Sequence, residues 1–194
     1  MNDKPAPKFT EEIMPIPGFE WGWQGVKHYF VLSDGQLGHW ESFRSPKTLW
    51  LGVLALTTGG KVILVEIFRF PKKDFSIECP GGANDGNEDF ATAAQRELLE
   101  ETGYKTEKSL TEIVRGWQAG DVDKKFVVFL ARDCHKVQKP HWDEVEKYCG
   151  ITVIEKPLPE IIKEISENPR NRYSTLVGYI LFVCWCKGLI TQCF

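Results

Sequence analysis

Hydrophobic and polar residues alternate with a period of two along several short stretches of this chain, a pattern typical of β-strands. The first stretch covers residues 21–43, and the turn residues Ser33, Asp34 and Gly35 divide it into the two arms of a predicted β-hairpin. Further strands are predicted at residues 49–56, 61–70, 76–79, 111–117, 126–131 and about 145–154.

A helical period predicts three α-helices, which cover about residues 88–102, 158–167 and 173–187. For the first of them, Asn87 is the predicted N-cap and Gly103 the predicted terminator. Its predicted buried stripe consists of Phe90, Ala94 and Leu98. The simplest packing of these elements is an α/β fold, with a mixed sheet between helices on both faces.

The expected organisation has three parts. Residues 1–18 are polar and rich in proline, so we expect a flexible arm. Residues 19–45 form the hairpin subdomain, and residues 46–194 form the main domain. The longest apolar run, residues 176–186, is shorter than the ~18 residues that span a bilayer. It predicts a buried helix or a subunit interface, and together with the hairpin it suggests a homodimer.

Composition excludes several classes of partner. The net charge of −3 provides no basic surface for nucleic acid, and hydrophobic residues (42%) and charged residues (26%) are as frequent as in soluble proteins. No membrane partner is expected. The first residues, MNDKPAPKF, lack the features of a secretory signal, so we expect a cytoplasmic protein. The six cysteines form no CxxC pair and are expected to be reduced thiols.

Three glutamates carry the chemistry that the sequence predicts. Glu97, Glu100 and Glu101 lie at helical spacing that places them on one face. Three like charges at this spacing repel one another, so a purely structural helix has little reason to place them together. A hard divalent cation such as Mg²⁺ or Mn²⁺ would remove the repulsion, because such ions prefer carboxylate oxygens. Arg96, four residues before Glu100, is expected to pair with Glu100 and orient it.

These glutamates lie in residues 82–104, GANDGNEDFATAAQRELLEETGY, which fill every fixed position of the Nudix box. Those positions are Gly82, Glu88, Arg96, Glu97, Glu100, Glu101 and Gly103. The chain therefore resembles the Nudix hydrolases. The resemblance implies an α/β/α sandwich, with a small N-terminal antiparallel β subdomain in one branch. It also implies a metal held by Glu97, Glu100, Glu101 and the carbonyl oxygen of Gly81.

The sequence before the box, VEIFRFPKKDFSIECPGG, resembles the ADP-ribose pyrophosphatase branch. That resemblance implies that Arg69 binds phosphate and that Glu78 accepts hydrogen bonds from a ribose or base. In this branch the N-terminal subdomain is exchanged between subunits and its aromatic residues sandwich the base, which here suggests Trp23 and Trp40. Core packing is an equally good explanation for each tryptophan. One departure is the missing proline at residues 118–121.

The general base has three candidates. The branch uses a carboxylate from a downstream loop, and the loop HWDEVEKY offers Glu144 as first choice and Glu146 as second. Other Nudix hydrolases use a glutamate of the box, which here favours Glu100. A solvated acidic loop without a catalytic role remains an alternative for Glu144 and Glu146.

The resemblance implies metal-dependent hydrolysis of the diphosphate bond in a nucleoside diphosphate linked to a sugar, either ADP-ribose or a nucleotide sugar. The products are a nucleoside monophosphate and a sugar phosphate. Two alternatives remain open at this point. The chain could hydrolyse a dinucleoside polyphosphate or a nucleoside triphosphate, or it could be a Nudix-fold module that binds a nucleotide without cleaving it.

Overall fold

The computed structural model describes residues 8–17, 22–84, 88–168 and 170–190. The strands are β1 (Phe9–Pro15), β2 (Gln24–Val31), β3 (Leu37–Thr57), β4 (Lys61–Arg69), β5 (Asp74–Glu78), β6 (Gly81–Ala83), β7 (Tyr104–Lys105), β8 (Thr111–Ala119), β9 (Val122–Lys136) and β10 (Thr152–Pro157). The helices are α1 (Phe90–Thr102), α2 (Glu144–Tyr148), α3 (Leu158–Glu167) and α4 (Thr175–Cys186).

The chain forms two compact units. The first contains the described residues up to Leu49 together with Gly116–Lys125, and the second contains the rest. In the first unit β1 pairs with β2, and β2 pairs with the beginning of β3, all antiparallel. Because side chains alternate between faces, one face carries Phe9, Ile13, Val26, Phe30 and Trp40. The opposite face carries Thr10, Glu12, Lys27, Tyr29 and Glu41.

The predicted hairpin is present in the first unit, but the predicted flexible arm is wrong for Phe9–Pro15. These residues form β1, because each of them is paired in register with a residue of β2. The turn at residues 118–121 forms without a proline: Gly120 and Asp121 join β8 to β9, and the backbone N–H of Phe43 donates to the Asp121 carbonyl at 2.9 Å. Trp21 lies outside the described residues.

In the second unit the central strands are buried on both faces. Alternate residues of β3, β4 and β9 form one core with α3 and α4, whose buried members include Leu54, Leu64, Val128, Ile161 and Ile180. The residues between them, such as Val53, Ile63 and Val127, are equally buried and point the other way. Helix α1 contacts β4, β6 and β7. Helices therefore cover both faces of the sheet, and the predicted α/β/α sandwich is confirmed.

Helix α1 begins and ends at strong local signals. Asp89 is its N-cap and accepts a hydrogen bond from the backbone N–H of Thr92 at 3.1 Å. Gly103 ends it in the left-handed conformation, with φ 76°, which glycine adopts without steric cost. The predicted cap Asn87 lies outside the described residues, and Asp89 holds the N-cap position instead.

The predicted stripe of α1 is wrong at one position. Phe90 is 38% exposed, whereas Ala94 and Leu98 are buried as expected. Ala93 and Thr102 complete the buried side of the helix. Small residues at these positions let the helix backbone approach the sheet closely, and Phe90, in the first turn, lies beyond that contact.

The strand predicted at residues 145–154 is also wrong in its first half. Residues Glu144–Tyr148 form the short helix α2, and the strand β10 begins only at Thr152. A capping box explains the helix: the Asp143 carboxylate accepts from the backbone N–H of Glu146, and the Glu146 carboxylate accepts from that of Asp143, both at 2.7 Å.

Helix α4 carries apolar side chains on both its buried and its exposed side. Val177, Ile180, Leu181 and Cys184 face the core, as the apolar run predicted. Three further side chains, Tyr179, Phe182 and Trp185, are exposed on the same helix. The part of the chain that the structure describes contains no helix with the length and apolar character needed to cross a membrane.

Candidate active site

The second half of α1 supplies three carboxylates to one cavity of about 260 Å³ in the second unit. The lining residues are Glu97, Glu100, Glu101, His141, Asp143 and Glu146. Five of these six side chains are carboxylic acids, so the cavity is strongly acidic when they are ionised. The structure thus brings the three box glutamates together with the loop that the sequence marked as a source of a base.

Arg96 is the basic partner of this cluster. Its Nη1 lies 2.9 Å from Glu97 Oε1 and 2.9 Å from Glu100 Oε2. Its Nε lies 3.2 Å from Glu88 Oε2, so Glu88 helps to orient the guanidinium. Burial alone would lower the pKa of Arg96, but the charge of Glu97 and the three hydrogen-bonded carboxylates raise it. The expected pairing of Arg96 with Glu100 is present, and it includes Glu97.

Two of the box carboxylates are poorly solvated. Burial raises the pKa of Glu101 to about 8, although the Gly81 N–H donates to its Oε2 at 2.8 Å and favours the charged form. Burial also raises the pKa of Glu97, against the opposing effect of Arg96. A nearby cation would stabilise both groups in their ionised form, because opposite charge lowers a carboxyl pKa.

The chemistry of the donor set fits a hard divalent cation, since carboxylate and carbonyl oxygens are the ligands that Mg²⁺ and Mn²⁺ prefer. Among the described residues no three His, Cys, Asp or Glu side chains already converge at ligand spacing. Arg96 holds one oxygen of Glu97 and one of Glu100, and the Gly81 N–H holds Oε2 of Glu101. Each of these carboxylates has a second oxygen that these bonds do not use and to which a cation can bind.

Gly82 makes room for the cluster. A Cβ at this position would lie 2.5 Å from Glu97 Oε2 and 2.7 Å from Glu97 Oε1. Any other residue would therefore push the Glu97 carboxylate away from its present place. The requirement for glycine at this point of the box follows from this close approach.

The downstream loop places its two glutamates differently. Glu146 lines the cavity, and its Oε2 accepts from the backbone N–H of Asp143 at 2.7 Å. Burial raises the pKa of Glu146. The side chain of Glu144 is 92% exposed, and its partner at 3.0 Å is Lys147. The structure thus brings the second choice of the sequence analysis into the cavity and leaves the first choice, Glu144, in solvent.

His141 and Asp143 also line the cavity, although neither is among the predicted site residues. Both lie in the loop that was singled out for its acidic residues. The signal that could have found Asp143 is the capping box that it forms with Glu146, a local pattern with a defined spacing. No local pattern points to His141.

Arg69 and Glu78 are partners of each other. Arg69 Nε lies 3.0 Å from Glu78 Oε1, and Arg69 Nη2 lies 2.7 Å from Glu78 Oε2, a bidentate pair between neighbouring strands. Burial favours a higher pKa for Glu78, but the hydrogen bonds and charge of Arg69 outweigh it and lower the pKa. The Arg69 side chain remains 50% exposed, and Glu101 contributes to its electrostatic environment.

The first unit contains a separate cavity of about 650 Å³. Trp40 lines it, and so does Trp117 from the end of β8; each is 59% exposed. Arg44 lies at its polar side and binds Glu11 at 2.9 Å and Asp123 at 3.1 Å. Trp23 is partly buried and is not among the lining residues of this cavity.

The chain is similar in sequence to a known domain family and to characterised proteins. The model of the NUDIX domain matches residues 48–170. The ADP-ribose pyrophosphatase of Bacillus subtilis is 31% identical over 151 residues, which are 77% of this chain and 78% of that protein. The methanol dehydrogenase activator of Bacillus methanolicus is 29% identical over 136 residues, 70% of this chain and 71% of that protein.

Among solved structures, the crystal structure of an ADP compounds hydrolase superposes with a TM-score of 0.77 and 19% identity, over 95% of this chain and 96% of that one. The fold and the carboxylate cluster define an α/β/α protein built around a Glu-x-x-Glu-Glu helix. The chain belongs to the NUDIX family. The predicted resemblance is therefore confirmed, and with it the expectation of an enzyme that hydrolyses phosphoric anhydrides.

The contact between Gly82 and Glu97 leads to a first prediction. We expect Gly82→Ala to weaken Mn²⁺ binding by roughly 10- to 100-fold, because displacing or misorienting a metal ligand typically costs that much affinity. The free energy of unfolding should change by less than about 1 kcal/mol, since the displaced atoms are the far end of a flexible side chain. Mn²⁺ titration followed by electron paramagnetic resonance measures the affinity, and urea unfolding measures the stability.

Gly59→Ala is the matched control, because the nearest atom to its added Cβ is Thr57 Oγ1 at 3.8 Å. It should bind Mn²⁺ like the wild type. An unchanged dissociation constant in Gly82→Ala would show that the position of the Glu97 carboxylate does not matter for the ion.

Proposed function

We propose that this chain is a metal-dependent hydrolase of a nucleoside diphosphate linked to a sugar, with ADP-ribose as the first candidate substrate. Water attacks one phosphorus of the diphosphate, the bond from that phosphorus to the bridging oxygen breaks, and a nucleoside monophosphate and a sugar phosphate leave. The observation that carries this proposal is the single cavity shared by three box glutamates and Glu146. The similarity to an ADP-ribose pyrophosphatase supports the substrate.

Glu97, Glu100, Glu101 and the carbonyl oxygen of Gly81 would hold the cation, which we propose to be Mg²⁺ with Mn²⁺ as a substitute. When bound, such an ion neutralises diphosphate charge and lowers the pKa of a coordinated water. Arg96 would keep Glu97 and Glu100 in place. Its contacts at 2.9 Å to both carboxylates support that role.

Glu146 is our proposal for the base that takes a proton from the attacking water. Its carboxylate lines the cavity, and its capping-box bond to Asp143 leaves Oε1 free of that contact. Glu144 is turned to solvent, and Glu100 already accepts from Arg96. These contacts favour Glu146 over the two other candidates.

Arg69 is proposed as a phosphate contact and Glu78 as an acceptor for the ribose or base. The half-exposed guanidinium and its proximity to Glu101 support a place for Arg69 near the diphosphate. A phosphate can replace the carboxylate as bidentate partner of an arginine, since both present paired oxygens.

Arg69→Lys should then raise KM, because an ammonium cannot bind in this bidentate way; an unchanged KM would remove the assignment.

Trp40 is proposed as the stacking surface for the base. Its exposed ring at a cavity that also offers Trp117 and the polar group of Arg44 supports this role, since such cavities suit planar ligands. Trp23, the second tryptophan predicted from the sequence, does not line this cavity, and we propose for it a supporting role in packing.

We further propose that the protein is a cytoplasmic homodimer. Exposed apolar side chains on α4 (Tyr179, Phe182 and Trp185) and on one face of the first unit (Phe9 and Ile13) support association. The cysteines in the described part of the chain form no disulfide, which supports a reducing compartment. Light scattering coupled to gel filtration tests the dimer, and a monomeric mass at micromolar concentration would contradict it.

The substrate is tested by hydrolysis in ¹⁸O-labelled water. We expect ADP-ribose to yield AMP and ribose 5-phosphate, one of them carrying a single ¹⁸O, and nucleotide sugars to react more slowly. A dinucleoside polyphosphate and a nucleoside triphosphate complete the panel, and mass spectrometry identifies the products. Chelation should abolish turnover and added Mg²⁺ should restore it. Binding of ADP-ribose without turnover under Mg²⁺ or Mn²⁺ would favour a non-catalytic binding module instead.

The base is tested by a matched pair of variants. Glu146→Gln should lower kcat by roughly 10²- to 10⁴-fold, the usual contribution of a general base. Glutamine keeps an oxygen that can accept from the Asp143 N–H, so the capping box survives. Glu144→Gln, in the same helix but exposed, should keep kcat within about twofold of the wild type. Steady-state rates with saturating ADP-ribose measure both, and the opposite ranking would return the role to Glu144.

The base subsite is tested by Trp40→Ala. Loss of one stacking surface should weaken substrate binding by about 1–3 kcal/mol, roughly 5- to 150-fold in KM, with little change in kcat. Leu37→Ala is the control, because Leu37 is 80% exposed on the same strand and is not a lining residue of the cavity. Equal KM values for the two variants would assign Trp40 to packing alone.

A further inference from the structure

The end of α1 is bound by a segment that is distant in sequence. The last four carbonyl groups of an α-helix have no partner within the helix. Here the backbone N–H of His141 donates to the Glu100 carbonyl at 2.7 Å, and the indole Nε1 of Trp142 donates to the Glu101 carbonyl at 2.8 Å. Just beyond the helix, the Gly103 carbonyl accepts from the N–H of Val137 at 2.9 Å. We call residues 137–142 the clamp segment.

Trp142 joins two parts of the active site through its place in this segment. Its indole holds the backbone of Glu101, whose carboxylate belongs to the box cluster. The next peptide N–H, that of Asp143, holds Oε2 of Glu146 at 2.7 Å. The two bonds thus come from consecutive residues: Trp142 binds helix α1, and Asp143 binds the proposed base.

Helix α2 is anchored independently at its far end. The N–H of Phe68 on β4 donates to the Cys149 carbonyl at 3.0 Å, and the N–H of Ile151 donates to the Glu146 carbonyl at 3.2 Å. The ring of Trp142 packs against the small core that contains Val65 and Cys149. Loss of the indole N–H would therefore remove the bond to α1 that lies nearest to Asp143, while the His141 bond, the far end of the loop and the ring packing persist.

We infer that Trp142 is a positioning residue that fixes Glu146 relative to the glutamates of α1. It acts through the base and does not touch the substrate, and the inference rests on the proposed role of Glu146. The competing explanation is that Trp142 serves only as a core side chain, so that its polar bond is incidental to catalysis.

Two replacements of Trp142 separate the hydrogen bond from the packing. Benzothienylalanine, introduced by nonsense suppression, keeps the shape of the indole and has no N–H, whereas Trp142→Phe removes the donor and part of the ring. Both should lower kcat by roughly 10- to 100-fold, the order expected when a catalytic group is displaced by about 1 Å. KM and the Mn²⁺ dissociation constant should stay within about twofold of the wild type.

A double-mutant cycle distinguishes positioning from a general structural defect. In the Glu146→Gln background the loss of the indole N–H should have little further effect on kcat, since the group that it positions has lost its function. Hydrogen exchange at the amides of residues 143–146 should become faster in the benzothienylalanine protein. Tyr148→Phe, which alters an 82% exposed side chain of the same helix, is the control and should leave kcat and exchange unchanged.

The outcomes are distinct. Wild-type kcat in the benzothienylalanine protein would overturn the inference, and so would an equal loss of kcat in the wild-type and Glu146→Gln backgrounds. Failure of the proposed base has a different signature, because Glu146→Gln by itself would then retain activity. In that case, unchanged hydrogen exchange at residues 143–146 in the benzothienylalanine protein would also contradict the claim that Trp142 anchors this loop. Faster exchange would support the anchoring by Trp142 and contradict only its role in catalysis.

Discussion

The active site of the second unit depends on a cluster of acidic side chains, two of which are largely buried. Glu97 and Glu101 are both shifted toward the neutral form by burial, and they stand one helical turn apart on α1. The surrounding chain compensates in local ways, through the guanidinium of Arg96 and the N–H of Gly81. The charge of Arg96 is already paired with carboxylates, and the N–H of Gly81 is neutral, so neither contact neutralises the charge of a diphosphate. The site is thus suited to a cation that binds carboxylate oxygens.

A second consequence concerns the end of α1. A helix that carries functional groups in its last turns must also satisfy the carbonyl groups of those turns. This chain does so with the segment that leads into the loop containing Glu146, so helix α1 and that loop share their anchoring bonds. The geometry of the site is therefore determined by main-chain contacts that side-chain spacing in the sequence does not reveal.

Much of the fold could be predicted from local patterns, and the failures have local causes too. The hairpin, the central strands and three helices follow from periodicity and from turn residues such as Gly103. The strand predicted from about residue 145 is a helix up to Tyr148, because the capping box of Asp143 and Glu146 overrides the strand preference of Val145 and Tyr148. The strand β1 was missed because its sequence, FTEEIMP, is short and Glu11 interrupts the apolar face of Phe9 and Ile13, whereas pairing with β2 stabilises it.

The sequence by itself determined the chemistry of the box: the spacing of Glu97, Glu100 and Glu101 on one helix face, the pairing of Arg96, and the family. These depend on helical geometry, which acts over four residues. Only the tertiary structure decided that Glu146 rather than Glu144 enters the cavity and that Arg69 is bound to Glu78. Those outcomes depend on the rotation of one short helix and on how distant segments meet. Residues some forty positions apart in sequence are brought together by the packing of the whole unit, which no local pattern encodes.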